Sequence, residues 1–348
     1  LYAWGRNNNG QLGLNDLSYR SSPVQVGSLT DWNKISAGRN HSVAIKLDGT
    51  LWGWGRNNNG QLGDNTIVSR SSPVQIGALT AWYQAGGGQY FSAAVKNDGT
   101  LWAWGVNSSG QLGQNNVIDR SSPVQIGTLT NWSAVSAGAN HCLALKTNGT
   151  LWSWGQNNLG QLGDGGTYGK SSPVQVGSAT NWRQFSAGQS VSMAITTSNT
   201  LFLWGANYFG GLGNNSTTYN RNVTQLGALT NWSQVSGAGS TFSVKTDGTL
   251  WAWGRNNNGQ LGTGNTIYRS SPVQIGSLTD WLEVSQRPGS YSAMALKTNN
   301  TLWAWGSNSY GQLGIGNSLN RSSPVQLGSA TNWSQISSSQ ASLAITKG

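Results

Sequence analysis

A chain of 348 residues with a formal net charge of +10 has only 9 % charged residues, yet it carries 49 Gly and 19 Trp. So few charges among abundant Gly, Asn, Ser and Thr would suit a disordered segment if the Trp were absent. Aromatic side chains of this size dominate core energetics, which assigns the polar letters to turns and excludes disorder. One cysteine, Cys142, excludes an intramolecular disulfide, and no apolar run approaches the roughly 18 residues of a membrane span.

Leu1 to Gly5 alternates aromatic and small residues and reads as a strand. Gly5-Arg6-Asn7-Asn8-Asn9-Gly10 then has the first spacing of a P-loop, but Gln11 and Leu12 stand where Lys and Ser or Thr are required, so nucleotide binding is set aside. Trp32 to Gly38 and His41 to Lys46 read as the next two strands. Asp48-Gly49 forms a tight turn, because both residues tolerate the positive φ of a hairpin, and Thr50 to Gly55 follows as a further strand. Pro73 to Gly77 is the fourth. The order then recurs, in segments beginning at Leu1, Leu51, Leu101, Leu151, Leu201, Leu250 and Leu302, with periods of 50, 50, 50, 50, 49 and 52 residues. Four strands repeated seven times predict a seven-bladed β-propeller of antiparallel blades, a single domain over residues 1–348. The chain opens in a third strand and ends in a second, Ala341 to Thr346, so the ring is expected to close with two strands from each terminus. Lacking an initiator Met, it reads as a fragment or a processed product.

The string "HSVAIKLDGTLWGWGRNNNGQLG" (His41 to Gly63) resembles the repeat of the regulator of chromosome condensation family, and the likeness spans the whole chain. It implies a seven-bladed propeller, with the glycines and Gln-Leu-Gly shaping the connection after the third strand. The family includes a guanine-nucleotide exchange factor that binds nucleosomes, an ultraviolet-B photoreceptor and a secreted β-lactamase inhibitor, so the fold does not select an activity. The loops Gly38-Arg39-Asn40-His41-Ser42 and Gly138-Ala139-Asn140-His141-Cys142 lack the photoreceptor's Trp, and no large insertion supplies an exchange-factor wedge. The Asn-, Gly- and Ser-rich, near-identical repeats are most similar in style to bacterial surface or phage members, which favours an extracellular, cell-surface or virion setting.

No catalytic constellation emerges. His41 and His141 share one repeat position, Cys142 occupies the strand site of Ser42 and Ser92, and the ten acidic residues form no acid–base pair. No enzyme, metal or cofactor is expected. All 19 Trp fall at three repeated positions, typified by Trp4, Trp32 and Trp52, and read as scaffold. Placing the loops after the first and third strands on one "upper" rim gives that rim most of the excess charge. Arg20, Arg70, Arg120, Lys170, Arg269 and Arg321, with Arg221 one residue displaced, form a repeated ring expected to tie loops to strand starts. Arg6, Arg39, Arg56, Arg255 and Arg287 break the repeat, as do the aromatic Tyr90, Phe91, Tyr208 and Phe209 in the same loops. These nine residues are the expected partner-binding set, with the arginines in one sector and the apolar side chains in the next. The reading is a non-catalytic recognition module for a protein or anionic glycan, within a larger assembly. Its alternatives are an intracellular adaptor or exchange-factor-like protein meeting chromatin or a small GTPase, and a secreted enzyme inhibitor. Nucleic acid is a lesser candidate.

Overall fold

A computed structural model describes residues 1–347. Twenty-eight strands form seven four-stranded antiparallel sheets. Blade II shows the unit: Trp32–Ala37, His41–Lys46, Leu51–Gly55 and Arg70–Gln75, hydrogen-bonded in that order. Blades III to VII begin at Trp82, Trp132, Trp182, Trp232 and Trp281. Blade I is the clasp, pairing Trp333–Ser338 and Ala341–Thr346 with Tyr2–Gly5 and Arg20–Gln25. The first strands of successive blades touch one another around the whole ring and surround a central channel.

The turn at Asp48-Gly49 is as the residues require: Gly49 has φ of 76°, and the Asp48 carboxylate accepts from the Thr50 amide at 2.9 Å. The outermost strand, however, covers Arg70–Gln75 rather than Pro73 to Gly77. A bulge between Gly53 and Gly55 lets this strand begin three residues earlier, and Pro73 sits on a free edge where its missing N–H interrupts no ladder.

The repeated Gly-Gln-Leu-Gly segment is a seam between blades. The Gln11 carbonyl accepts from Trp54 Nε1 at 3.0 Å and from Ser42 Oγ at 2.9 Å, both in the next blade. The carbonyl of Gln61 receives Trp104 and Ser92 in the same way. A Cβ on Gly10 would lie 2.6 Å from Ser71 Cα, so the glycine is demanded by close approach as well as by its φ of 78°. Cys142 replaces the serine of this pattern, its Sγ 3.7 Å from the Gln111 carbonyl, and burial pushes its thiol up.

Around the channel a second seam operates. Gln184 reaches the free edge of blade VI's first strand, accepting from the Val235 amide at 3.0 Å and donating to the Val235 carbonyl at 3.0 Å. Gln234 does the same with Val284. An amide side chain offers a donor and an acceptor side by side, which is what an unpaired strand edge lacks.

Candidate recognition site on the upper face

The upper face is built by two loops per blade, one after the first strand and one after the third. Arg6, Arg56 and Arg255 occupy the same position in the third-strand loops of blades I, II and VI. The fold sets each between two other repeat positions: one in the third-strand loop of the preceding blade, one in the first-strand loop of the following blade. Wherever an aromatic residue occupies either flanking position, the side chain beside it is an arginine. The Arg6 guanidinium lies 4.9 Å from the Tyr310 ring centre, Arg56 lies 5.2 Å from Tyr90, and Arg255 lies 5.0 Å from Phe209 and 4.8 Å from Tyr291. Arg39 adds a second guanidinium to Tyr90 at 6.0 Å. The expected separation into a basic and an apolar sector is therefore corrected. Cation and ring are interleaved at the seams, because neighbouring loops lean on each other and a planar guanidinium stacks on an aromatic face.

Among the described residues none of these four arginines forms an ion pair. Arg6 donates to Gln340 Oε1 at 2.6 Å and Arg255 Nε to Asn257 Oδ1 at 2.9 Å, leaving each with further N–H groups. The Tyr90 phenol is held below its ordinary value, first by a hydrogen bond with Gln89 and then by Arg39 and Arg56. Beside Arg255 a cavity of about 180 Å³ is lined by Leu159, Val191, Tyr208, Phe209 and Gly239 among others. Tyr208 is 61 % exposed and Phe209 36 %, so the cavity opens beside accessible aromatic surface.

Two expected site residues lie elsewhere. Phe91 is fully buried: its side chain packs in the core between blades III and IV, at the strand position held by His41 and Val191, and offers no surface. Arg287 leaves the rim for the channel. The first-strand loop of blade VII is two residues longer than those of blades II to V and three longer than those of blades I and VI, and this carries Arg287 inward. There it lines the channel with Lys34, Gln84, Glu283 and Gln335. Burial lowers its guanidinium, opposed by Glu283, whose own carboxyl is pushed up to about 7 by burial against the pull of Arg287 and Lys34. The 52-residue period was the signal for this displacement.

The outer ring is partly neutralised. Arg70 pairs with Asp64 at 3.0 Å and Lys170 with Asp164 at 3.8 Å, and Arg20 pairs with Asp16 while also donating to the Ser18 carbonyl. Among the described residues no three His, Cys, Asp or Glu side chains gather as a metal site, and no helix is long and apolar enough to cross a membrane.

The model of the regulator of chromosome condensation (RCC1) repeat matches residues 1–45, 48–95, 98–145, 148–195, 247–287 and 299–344. The chain belongs to this family. The segments left unmatched include most of the blade V to VI connection, where Gly210-Gly211 replaces Gly-Gln, and the long loop carrying Pro288. Among solved structures, human WBSCR16 superposes with a TM-score of 0.89 at 21 % identity, covering 99 % of this chain and 98 % of its own. Prp20p from Saccharomyces cerevisiae gives 0.87 at 20 % identity over 100 % of this chain and 91 % of its own. Yeast RCC1 (Prp20) bound to Kap60 gives 0.88 at 18 % identity, covering 100 % and 89 %. At these identities the likeness concerns the fold. No curated protein matches the chain by sequence.

Proposed function

We propose that this protein is a non-catalytic recognition module whose upper face docks a protein partner bearing carboxylates beside apolar side chains. The observation that supports this most directly is Arg255, stacked between Phe209 and Tyr291 without an ion pair, at the mouth of an apolar cavity. Two rings lie within 5.0 Å of its guanidinium while N–H groups remain for an incoming acceptor, and Arg and aromatic residues supply disproportionate energy at interfaces. A cavity of about 180 Å³ suits one large side chain rather than a drug-sized ligand, for which about 300 Å³ is a lower bound. Protein binding also fits the family: the solved yeast structures are described with Kap60 as a bound partner and with binding to Gsp1p and histones. An anionic glycan is less well supported, since the ring that would attract it is partly paired with its own carboxylates.

The test compares immobilised wild-type protein with two variants against cell extract at low and high salt, with purified Gsp1p and histones as defined probes. Arg6→Ser, Arg56→Ser and Arg255→Ser together should slow association and weaken its salt dependence, and Tyr90→Ala with Phe209→Ala should speed dissociation. A partner that is unaffected by both sets and lost instead on changing the lower-face Lys46 refutes the assignment.

A further inference from the structure

On the opposite face the chain repeatedly builds a site for an ammonium group and fills it itself. Lys46 Nζ lies 4.4 Å from the Trp52 ring centre and 5.3 Å from Trp32. Lys96, Lys146, Lys245 and Lys297 each cap the equivalent aromatic pair, Lys146 coming within 3.7 Å of Trp152 and Lys245 within 3.9 Å of Trp251. The cations are further held by carboxylates in some blades, as in Lys46 to Asp31 at 3.4 Å and Lys297 to Asp280 at 3.2 Å.

Blade V keeps the aromatic pair and omits the lysine. Trp182 and Phe202 stand edge to face with ring centres 5.2 Å apart, but Thr196 occupies the lysine position. Two further exchanges enlarge the space: Ala179 replaces the leucine found as Leu29, Leu79, Leu129, Leu229 and Leu278, and Phe202 is smaller than the Trp of five other blades. The three changes do not compensate one another in volume. A cleft of about 320 Å³ results, lined by Trp182, Phe202, Thr196, Ser198, Thr200 and Ala179 with others. The hydroxyls of Thr196, Ser198 and Thr200 form a chain at 2.9 and 3.2 Å, providing oxygen lone pairs at the cleft. The neighbouring cation, Arg183, is held by hydrogen bonds from Nε to the Thr196 carbonyl at 3.2 Å and from Nη2 to Asn199 Oδ1 at 2.8 Å and the Trp232 carbonyl at 3.0 Å, and does not line the cleft. Blade I carries the same triple exchange, Ala330, Thr346 and Tyr2, so the three positions change together.

We propose that the blade V cleft binds an alkylammonium group from outside the chain, its cation against the Phe202 and Trp182 rings and its N–H groups on the threonine and serine hydroxyls. The external ligand takes the place that the lysine side chain takes elsewhere, with its alkyl stem toward the space left by Ala179. The cation–π geometry that the fold produces five times with its own lysines sets the recognition. This site is independent of the upper face.

The test titrates n-butylammonium chloride into the protein, with n-butanol as the uncharged counterpart and sodium chloride at matched ionic strength. The readout is the Trp182 indole N–H signal in proton–nitrogen correlation spectra, assigned by its loss in Trp182→Phe. A saturable shift with a millimolar Kd, at least fivefold weaker for butanol, is expected. Thr196→Lys should abolish it, since the fold already accommodates lysine at this position in five blades, and Ala179→Leu should weaken it at least threefold by narrowing the cleft. A lysine-containing tripeptide binding more tightly than butylammonium identifies a polypeptide-borne lysine as the source; equal binding identifies a free amine. No saturable shift, equal binding of butanol, or full binding retained in both Thr196→Lys and Ala179→Leu overturns the proposal.

Discussion

Lowering the pH from 7 to 5 should set two groups of buried side chains against each other. His41 and His141 are fully buried, and burial lowers each to about 4. Their tautomer follows from the bonds: Ser92 Oγ donates to the Gln61 carbonyl, so it accepts from His41 Nε2 at 2.9 Å, while Nδ1 has no partner. In the unfolded chain each imidazole returns to about 6.5. Between these values the unfolded state binds more protons, so stability is complete above about 6.5 and falls as the pH drops toward 4. At pH 5 each histidine has withdrawn about 2 kcal/mol, about 4 together. Glu283 acts with the opposite sign. Its folded carboxyl titrates at about 7, above its ordinary value, so acidification stabilises the fold. Channel water makes about 2 kcal/mol an upper value over the same interval. Asp48, Asp98 and Asp247, held low first by Thr hydroxyl bonds, lose their contributions only below this window. Urea denaturation at pH 7 and pH 5 should thus show a wild-type loss of about 2 kcal/mol and a Glu283→Gln loss of about 4. His41→Phe with His141→Val, side chains that blades III and V already use at this position, should instead gain up to about 2. A double-histidine variant that still loses stability on acidification, or a Glu283→Gln protein indistinguishable from wild type, refutes the reasoning.

Deleting Leu1 to Gly27 removes two strands of blade I and the Trp4 bond to the Gln312 carbonyl, and should abolish cooperative melting by calorimetry. An unchanged transition would contradict ring closure. Trp104→Phe should cost about 3 kcal/mol in chemical denaturation, from a lost bond to the Gln61 carbonyl and a buried void. Trp152→Phe, half-buried and at the position where Phe202 occurs naturally, should cost about 1 kcal/mol or less. Gly27→Ala, with φ of 60° and nothing within 4 Å of its Cβ, should pay only left-handed strain of about 1 kcal/mol, whereas Gly10→Ala adds a backbone collision and should lower the melting temperature several times further.

How much of this could be read beforehand depends on whether a feature recurs along the chain or arises across it. Strand order, the Asp48-Gly49 turn and the two-ended closure were legible, because each depends on local letters and on counting repeats. The sequence pattern starts the outer strand three residues late because Ser71-Ser72-Pro73 has the composition of a turn, and only the bulge opposite Gly53 to Gly55 makes it pair. Phe91 eludes the sequence for a related reason: beside the loop residue Tyr90 it looks like a second loop aromatic, yet it opens the strand Phe91–Lys96, which is buried on both faces. For Arg287 the count was available in the 52-residue period, but two extra residues shift a loop by an amount that sequence spacing alone cannot aim. The arginine–aromatic pairs are the instructive case. The sequence already held the rule, since Tyr90, Phe209, Tyr291 and Tyr310 each adjoin a blade with Arg56, Arg255 or Arg6. What it lacked was the lean of one loop onto the next, which decides that Arg255 meets rings from both sides and Arg6 from one. Positions that stay constant between copies are those that close a seam, such as Trp54 on the Gln11 carbonyl, because every blade must meet its neighbour in the same way. Some varying positions, such as that of His41, Phe91 and Val191, are buried between blades, but those that distinguish the upper face, Tyr208 and Phe209 among them, are accessible and lie where the repeat exerts least control.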